Sequence, residues 1–311
     1  MSYSIHHNDL ARFGSLEFLA HQVVEGFVTG LHKSPFHGFS VEFAEHRLYN
    51  SGESTRYIDW KLFARSGKLF VKRFEEETNL RCQLVIDHSS SMYFPYREKP
   101  SPDQPDKLLF SVYAAASIME LLQRQRDAMG LSLFSDQLDI HTAVRSNKIH
   151  HRYLLALLEK LIDPSKALEN RKTAAAAALH QVAEQIHRRS LVLVFSDMME
   201  QNSNTDAMFE ALQHLRYNKH EVVLFHVLDG QIEAGLQLEN RPYRFVDMET
   251  KEVLKLNPLE IREAYKKTFN EHRNELKMRC GQYQIDYVET DINKGYHHLL
   301  SEYLIKRSKL Y

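Results

Sequence analysis

The chain has 311 residues, of which 43% are hydrophobic, enough for one large core or two smaller ones. Its 40 Lys+Arg residues balance 41 Asp+Glu residues, and the net charge of -1 excludes a global field that would draw the protein to nucleic acid or anionic lipid. No apolar run reaches the roughly 18 residues that cross a bilayer, and the first ten residues lack the core of a signal peptide. We therefore expect a cytoplasmic protein without a membrane span.

Cysteine and histidine usage gives no sign of a thiolate or zinc site. Cys82 and Cys280 lie far apart without metal-ligand spacing, which indicates two buried thiols in a reducing compartment and no disulfide. The 18 histidines include three adjacent pairs, but neighbouring residues on a helix or strand do not face one ligand sphere. Surface or core histidines are the favoured interpretation.

The first 79 residues differ in pattern from the rest. Apolar residues at helical spacing predict an amphipathic helix over 16–31, and alternation over 68–74 predicts a strand. The part between them is irregular and holds the single tryptophan, Trp60. We divide the chain into a small N-terminal α+β segment, residues 1–79, and a main domain, residues 80–311.

Beyond residue 80, short apolar runs alternate with longer amphipathic segments. Strands are predicted at 83–86, 130–134, 137–141, 191–195, 222–227 and 285–288. Helices are predicted at 106–125, 148–161, 173–187, 206–217, 258–280 and 294–306. This alternation is typical of a doubly wound α/β fold, a mostly parallel sheet with helices on both faces, in which 137–141 is expected to run antiparallel after a tight turn.

Acids and hydroxyls follow two of the predicted buried strands. Asp87, Ser89 and Ser91 come after the first strand, and Asp197 follows another. Because ligands gather at the carboxyl ends of parallel strands, two acids at the same edge can share one cation. Carboxylates combined with neutral hydroxyls suit Mg²⁺ or Mn²⁺. Thr173 begins an alanine-rich predicted helix, where its hydroxyl either caps the helix or points into the same site; the cap is the commoner role.

The run Asp87-His88-Ser89-Ser90-Ser91 resembles the Asp-x-Ser-x-Ser signature of von Willebrand factor type A (vWA) domains, which opens their metal-ion-dependent adhesion site (MIDAS). Thr173 and Asp197 resemble the second and third elements of that site, although Thr173 lacks the glycines that usually precede it. The resemblance covers residues 80–307. It implies a divalent cation, Mg²⁺ or Mn²⁺, ligated by Asp87, Ser89, Ser91, Thr173 and Asp197.

A longer motif lies upstream, EFAEHRLYNSGESTRYIDWK at 42–61 and KRFEEE at 72–77. It closely resembles the bacterial family DUF58, "domain of unknown function 58". That family joins this segment to a type A domain and is commonly encoded beside a MoxR-type AAA+ ATPase, so the resemblance implies such an ATPase as a partner. Many members carry membrane helices at the N-terminus, and this sequence shows none.

Five residues in or beside the upstream motif are predicted to bind a partner: Arg47, Arg56, Asp59, Trp60 and Arg65. The same residues could instead form an ion-paired plug against the sheet, because buried charges persist when paired and arginine binds carboxylates in a bidentate manner. An exposed Trp60 would be an interface anchor. Of the two interpretations, the sequence favours the structural plug.

The sequence favours a non-enzymatic, metal-dependent protein–protein interaction module, an adaptor or co-chaperone that works with a MoxR-type ATPase or its client. A partner carboxylate would complete the coordination of the cation. One alternative is a metal-independent scaffold of the same fold. The other, a Mg²⁺-dependent phosphoryl hydrolase, is disfavoured because Ser89 stands where a haloacid-dehalogenase-type phosphatase has a second aspartate, and no glycine-rich phosphate loop or nucleophile elbow is visible.

Overall fold

A computed structural model describes residues 15–31, 46–48, 60–72, 80–162, 175–199, 205–247 and 252–308. The chain forms two compact units, one of Met1–Val28 with Leu80–Tyr311 and one of Thr29–Asn79. The division into residues 1–79 and 80–311 stays a prediction.

Regular elements occur throughout the described ranges. The helices are α1 (Ser15–Leu31), α2 (Trp60–Ser66), α3 (Lys107–Arg124), α4 (Lys148–Glu159), α5 (Ala175–Gln185), α6 (Thr205–Tyr217), α7 (Pro258–Gln282) and α8 (Tyr296–Ser308). The strands are β1 (His46–Leu48), β2 (Phe70–Lys72), β3 (Arg81–Asp87), β4 (Ala128–Phe134), β5 (Leu138–His141), β6 (Leu191–Ser196), β7 (Glu221–Leu228), β8 (Tyr243–Val246), β9 (Val253–Leu256) and β10 (Asp286–Asp291).

The larger unit is built on a six-stranded sheet with the order β10-β7-β6-β3-β4-β5. Neighbouring strands run parallel except β5, which runs antiparallel to β4. Strand β6 is buried along its whole length, because a central strand of an α/β sheet has helices on both faces. The predicted α/β fold with a mostly parallel sheet is confirmed, including the antiparallel strand.

Helices cover both faces of this sheet. Buried residues of α5, α6 and α7 join Val85 and Val194 of the sheet in one hydrophobic core. Helix α3 contacts β3, β4 and β7 and packs against α4 and α8. Asp106 caps α3, since its carboxylate accepts a hydrogen bond from the backbone N–H of Leu109 at 2.7 Å. This cap places the first turn of α3 above the carboxyl edge of the sheet.

The described elements differ from the prediction in several places. Strand β1 and helix α2 lie in the part of the chain that was predicted to be irregular. Strand β2 is shorter than the predicted 68–74 and pairs antiparallel with β1. The hairpin of β8 and β9 was not predicted, because its residues are largely exposed and lack the apolar run of a core strand. Helix α5 is described over Ala175–Gln185; Thr173 lies outside the described residues, so the start of this helix at 173 stays a prediction.

Cys82 and Cys280 are buried free thiols, as predicted. None of the helices in the described ranges combines the length and the apolar character that a bilayer crossing needs.

Candidate metal-binding site

The site lies at the carboxyl edge of the main sheet, where β3 and β6 end side by side. Ile86 pairs with Phe195 in the parallel register, so the next residues, Asp87 and Ser196, are neighbours. The Ser196 hydroxyl donates to Asp87 Oδ2 at 2.7 Å, and the backbone N–H of Ser89 donates to Asp87 Oδ1 at 2.9 Å. Asp87 is completely buried. Two adjacent strand ends therefore hold its carboxylate in one orientation.

The loop after β3 brings its hydroxyls back to the same place. A short 3₁₀ helix, Ser90–Tyr93, turns the chain so that the Oγ atoms of Ser89 and Ser91 lie 3.1 Å apart. The Ser91 side chain also hydrogen-bonds Asp197. Four of the five predicted metal ligands, Asp87, Ser89, Ser91 and Asp197, thus belong to one hydrogen-bonded cluster.

A buried lysine that sequence reasoning missed completes the cluster. Lys107, on the first turn of α3, is 1% exposed, and its Nζ donates to Asp197 Oδ2 at 2.7 Å and to Glu233 Oε1 at 2.9 Å. The other oxygen of Glu233 accepts the backbone N–H of Asp229 at 3.0 Å. Lys107 therefore links the end of β6 to the turn that follows β7.

The two aspartates respond in opposite directions to this environment. Burial raises the pKa of Asp87 to about 7, and the negative charge of Asp197 adds to the effect. Burial alone would raise the pKa of Asp197 too, but the Lys107 ammonium and the hydrogen bonds from Lys107, Met199 and Ser91 together lower it. Asp197 is therefore the ionised member of the pair because a cation neighbours it, whereas no ion pair with a described residue offsets a negative charge on Asp87.

His226 of β7 lies behind Asp197 and adds no positive charge. Burial lowers the pKa of His226 to about 4, so the ring is neutral near pH 7. Its Nε2–H donates to the backbone carbonyl of Asp197 at 3.0 Å, and Nδ1 accepts from the Tyr287 hydroxyl at 2.6 Å. The imidazole fixes the backbone at the end of β6.

The donor set and its charge balance fit a divalent cation. When all are ionised, the carboxylates of Asp87, Asp197 and Glu233 and the single ammonium of Lys107 leave two negative charges in a buried cluster, which is the charge a divalent cation neutralises. Within the described ranges, no three His, Cys, Asp or Glu side chains are grouped so that they could hold a metal ion by themselves. A cation here would therefore depend on serine hydroxyls as well as carboxylates, which is a donor set for a hard ion.

Sequence signals for the missed residues exist. The N-terminus of a helix carries partial positive charge, so a lysine on the first turn, such as Lys107, is electrostatically unfavourable unless an acidic side chain lies beside it. Asp229 directly follows β7, the position that singled out Asp197 after β6, and its backbone N–H donates to Glu233 in the same turn.

The predicted partner-binding residues lie in the smaller unit. Trp60 begins α2 with its side chain 60% exposed, and its ring meets Phe63 edge-on at 6.2 Å between centroids. Arg65 is exposed on the same helix, and Arg47 is in β1. Arg56 and Asp59 lie outside the described residues. A partner-binding role for these five residues stays a prediction, and the exposure of Trp60 is what an interface residue requires.

Comparison with protein families gives one match over most of the chain. Residues 45–275 match the family described as "Protein of unknown function DUF58". The chain belongs to the DUF58 family. The match begins in the upstream motif and ends within α7. It therefore includes Asp87, Ser89, Ser91 and Asp197.

DUF58 relatives and solved structures resemble the chain at low identity. Uncharacterized proteins of Mycobacterium bovis and of two strains of Mycobacterium tuberculosis are 24% identical over 221 residues, which is 70% of this chain. The match spans 65% of the length of those relatives. The solved structures include BatB from Bacteroides thetaiotaomicron, with 15% identity, 74% of this chain and 99% of that chain covered and a TM-score of 0.43. An aerotolerance-related membrane protein from Bacteroides fragilis has 17% identity, coverages of 72% and 98% and a TM-score of 0.46.

Proposed function

We propose that this DUF58 protein is a non-enzymatic module that binds protein partners through a divalent cation, Mg²⁺ or Mn²⁺, at the carboxyl edge of its main sheet. The observation that supports this proposal is the buried cluster of Asp87, Ser89, Ser91 and Asp197. When all are ionised, the carboxylates of Asp87, Asp197 and Glu233 exceed the one ammonium of Lys107 by two charges. Thr173, outside the described residues, would be a fifth ligand by its resemblance to vWA domains.

The chemistry of this proposal follows from how few charges face the ion. When bound, the cation supplies a positive centre that can accept one more oxygen ligand. Glu233 is not among the proposed ligands, and Lys107 already offsets the charge of Asp197. Asp87 is then the one uncompensated carboxylate among the described ligands, so the cation keeps positive charge that attracts a carboxylate from a partner. Asp87, Ser89 and Ser91 would orient that centre, since the short loop and the strand end hold them together.

The partner we propose is a MoxR-type AAA+ ATPase or its client, on the strength of the resemblance to DUF58 proteins encoded beside such ATPases. An adaptor or co-chaperone would present the carboxyl edge of its main sheet at Asp87 and Asp197, here called the metal edge, to an acidic side chain of that partner. Both carboxylate oxygens of Asp87 accept hydrogen bonds and the side chain is buried, which disfavours Asp87 as a nucleophile and leads us to propose no enzymatic activity.

Metal titration and partner binding test the proposal together. Mn²⁺ and Mg²⁺ would be titrated into the wild-type chain and D87N, with D103N, a change at an exposed aspartate, as the matched control. We expect saturable binding by wild type and D103N and none by D87N. Binding of a purified MoxR-type ATPase should follow the same order and be lost in EDTA. Partner binding unchanged in D87N and in EDTA would contradict the proposal.

A metal-independent scaffold is the second candidate, and one observation favours it. Lys107 already gives Asp197 a cation at 2.7 Å, and the pKa of Asp87 is raised to about 7, so the cluster can balance part of its charge with a proton. The scaffold predicts no saturable Mn²⁺ binding by wild type and no effect of EDTA on partner binding. The same titration therefore separates the two candidates.

A further inference from the structure

A second surface with the chemistry of a binding site lies far from the metal edge. An open cleft of about 370 Å³ is formed between the end of β5 and the start of α4, and its lining includes His141, Arg145, Ile149, His150 and Tyr153. The backbone of Arg145 pairs with Met129 near the start of β4.

The cleft and the metal edge are at opposite ends of β4. Phe134, at the other end of that strand, pairs with Asp87. At about 3.3 Å per residue, Met129 and Phe134 are roughly 17 Å apart. The cleft is therefore separate from the candidate metal site.

The floor of the cleft is held by a continuous set of hydrogen bonds. The backbone N–H of Leu131 donates to Thr142 Oγ1 at 2.8 Å, and Arg145 exchanges two backbone hydrogen bonds of 3.0 Å with Met129. The His150 ring donates from Nε2 to the Met129 carbonyl at 3.1 Å. Asn147 caps α4 by accepting the backbone N–H of His150 at 2.7 Å. These contacts keep the walls in place, so little ordering is required when a partner binds.

The surface around the cleft is basic. Residues 140–158 contain Arg145, Lys148 and Arg152 and no aspartate or glutamate. All three side chains are exposed, and none forms an ion pair with a residue that the structure describes. The whole chain has a net charge of -1, so this excess of positive charge is local and does not reflect a basic protein. Such a patch attracts an acidic partner.

An apolar strip adjoins the basic residues. Ile149 is 83% exposed and Tyr153 is 51% exposed, and they are four residues apart on α4, so they lie on the same face. Ala156, on the next turn of the helix, is exposed too. Tyrosine and arginine side by side are the residue types most enriched in protein–protein interfaces. A tyrosine hydroxyl can also donate to a phosphate oxygen, but an exposed isoleucine has no such use in binding phosphates.

We propose that this β5–α4 cleft binds an acidic segment of a protein partner that also carries a bulky apolar side chain. The apolar side chain packs against Ile149 and Tyr153, and flanking carboxylates face Arg145 and Arg152. A nucleic acid would use the basic residues and stack a base on Tyr153 but leave Ile149 uncovered, so the 83% exposed Ile149 favours a peptide. This surface is independent of the metal edge.

An array of short synthetic peptides tests the proposal, with acidic and bulky apolar residues varied independently and EDTA present so that no cation takes part. The two variants are R145E/R152E and I149S/Y153S, all at exposed positions where folding is preserved. Arg188 and Tyr217 are exposed residues elsewhere on the unit, so R188E and Y217S are the matched controls.

We expect wild type to bind peptides that combine acidic and apolar residues, with affinity that falls as salt is raised. Each double variant should weaken that binding by at least about fivefold, the size of an ordinary interface anchor, and the controls should not. Binding to acidic peptides regardless of their apolar residues, or equal competition by a single-stranded oligonucleotide, would overturn the proposal in favour of a general anion surface. The proposal would also be overturned if wild type bound the peptides no more tightly than R145E/R152E does.

Discussion

The buried Lys107 ammonium offers the sharpest stability test in the molecule. Its Nζ lies 2.7 Å from Asp197 and 2.9 Å from Glu233, and the side chains are 1%, 1% and 8% exposed. Lys107→Met keeps the length of the aliphatic stem, so packing changes little. The substitution leaves two buried carboxylates facing each other without their cation, a change that costs about 3–5 kcal/mol of unfolding free energy.

Thermal and urea unfolding followed by circular dichroism, at pH 7 in EDTA, would measure this loss. In a domain of this size each kcal/mol lowers Tm by about 2–4 °C, so the expected shift is on the order of 10 °C. K107M/E233Q should recover part of the loss, because it removes one of the two unpaired charges. Lys267 is exposed on α7, and K267M should stay within about 0.5 kcal/mol of wild type.

A K107M variant within about 1 kcal/mol of wild type would refute this reasoning, since the carboxylates would then be solvated or protonated at no cost. Added Mg²⁺ gives a second measurement. It should stabilise K107M more than wild type, because the carboxylates freed by the substitution are additional oxygen ligands.

Three further predictions concern the same unit. Burial lowers the pKa of His226 from 6.5 to about 4. Between these two values the unfolded chain binds a proton that the folded chain does not, so the unfolding free energy of wild type falls by on the order of 3 kcal/mol as the pH drops from 6.5 to 4. H226Q lacks this group, so the difference in unfolding free energy between wild type and H226Q, measured by urea unfolding, should narrow by that amount over the same pH range. Leu193 is fully buried in β6, so L193A should lose about 2–5 kcal/mol, whereas L254A, at a side chain 61% exposed, should lose under about 0.5 kcal/mol in the same assay. S89A/S91A should fold normally and bind Mn²⁺ at least about tenfold more weakly in titration calorimetry, because the two neutral oxygens of the proposed ligand set are lost.

The six strands of the main sheet, most of the helices and the sheet edge that carries the site could be predicted because their signals are local. An apolar run ending in an acid predicts a buried strand end at Asp87 and again at Asp197, and parallel strands end at the same edge. The β8–β9 hairpin could not be predicted in the same way, since its exposed residues lack a period that burial would impose.

Lys107 and Glu233 show what local patterns omit. Lys107 is 90 residues from Asp197 and 126 residues from Glu233 in the chain. Their meeting depends on the strand order β7-β6-β3, which brings α3 and the turn after β7 over the same strand ends. The strand order cannot be predicted from the hydrophobic periodicity of any single segment.

The sequence by itself determined the fold class and four oxygen donors at one sheet edge, because apolar periodicity and strand-end chemistry are written in consecutive residues. Only the tertiary structure decided the charge of that edge. It placed one ammonium among three buried carboxylates and raised the pKa of Asp87 to about 7. The physical reason is that burial and Coulomb interaction depend on distances in space, and the folded topology sets those distances.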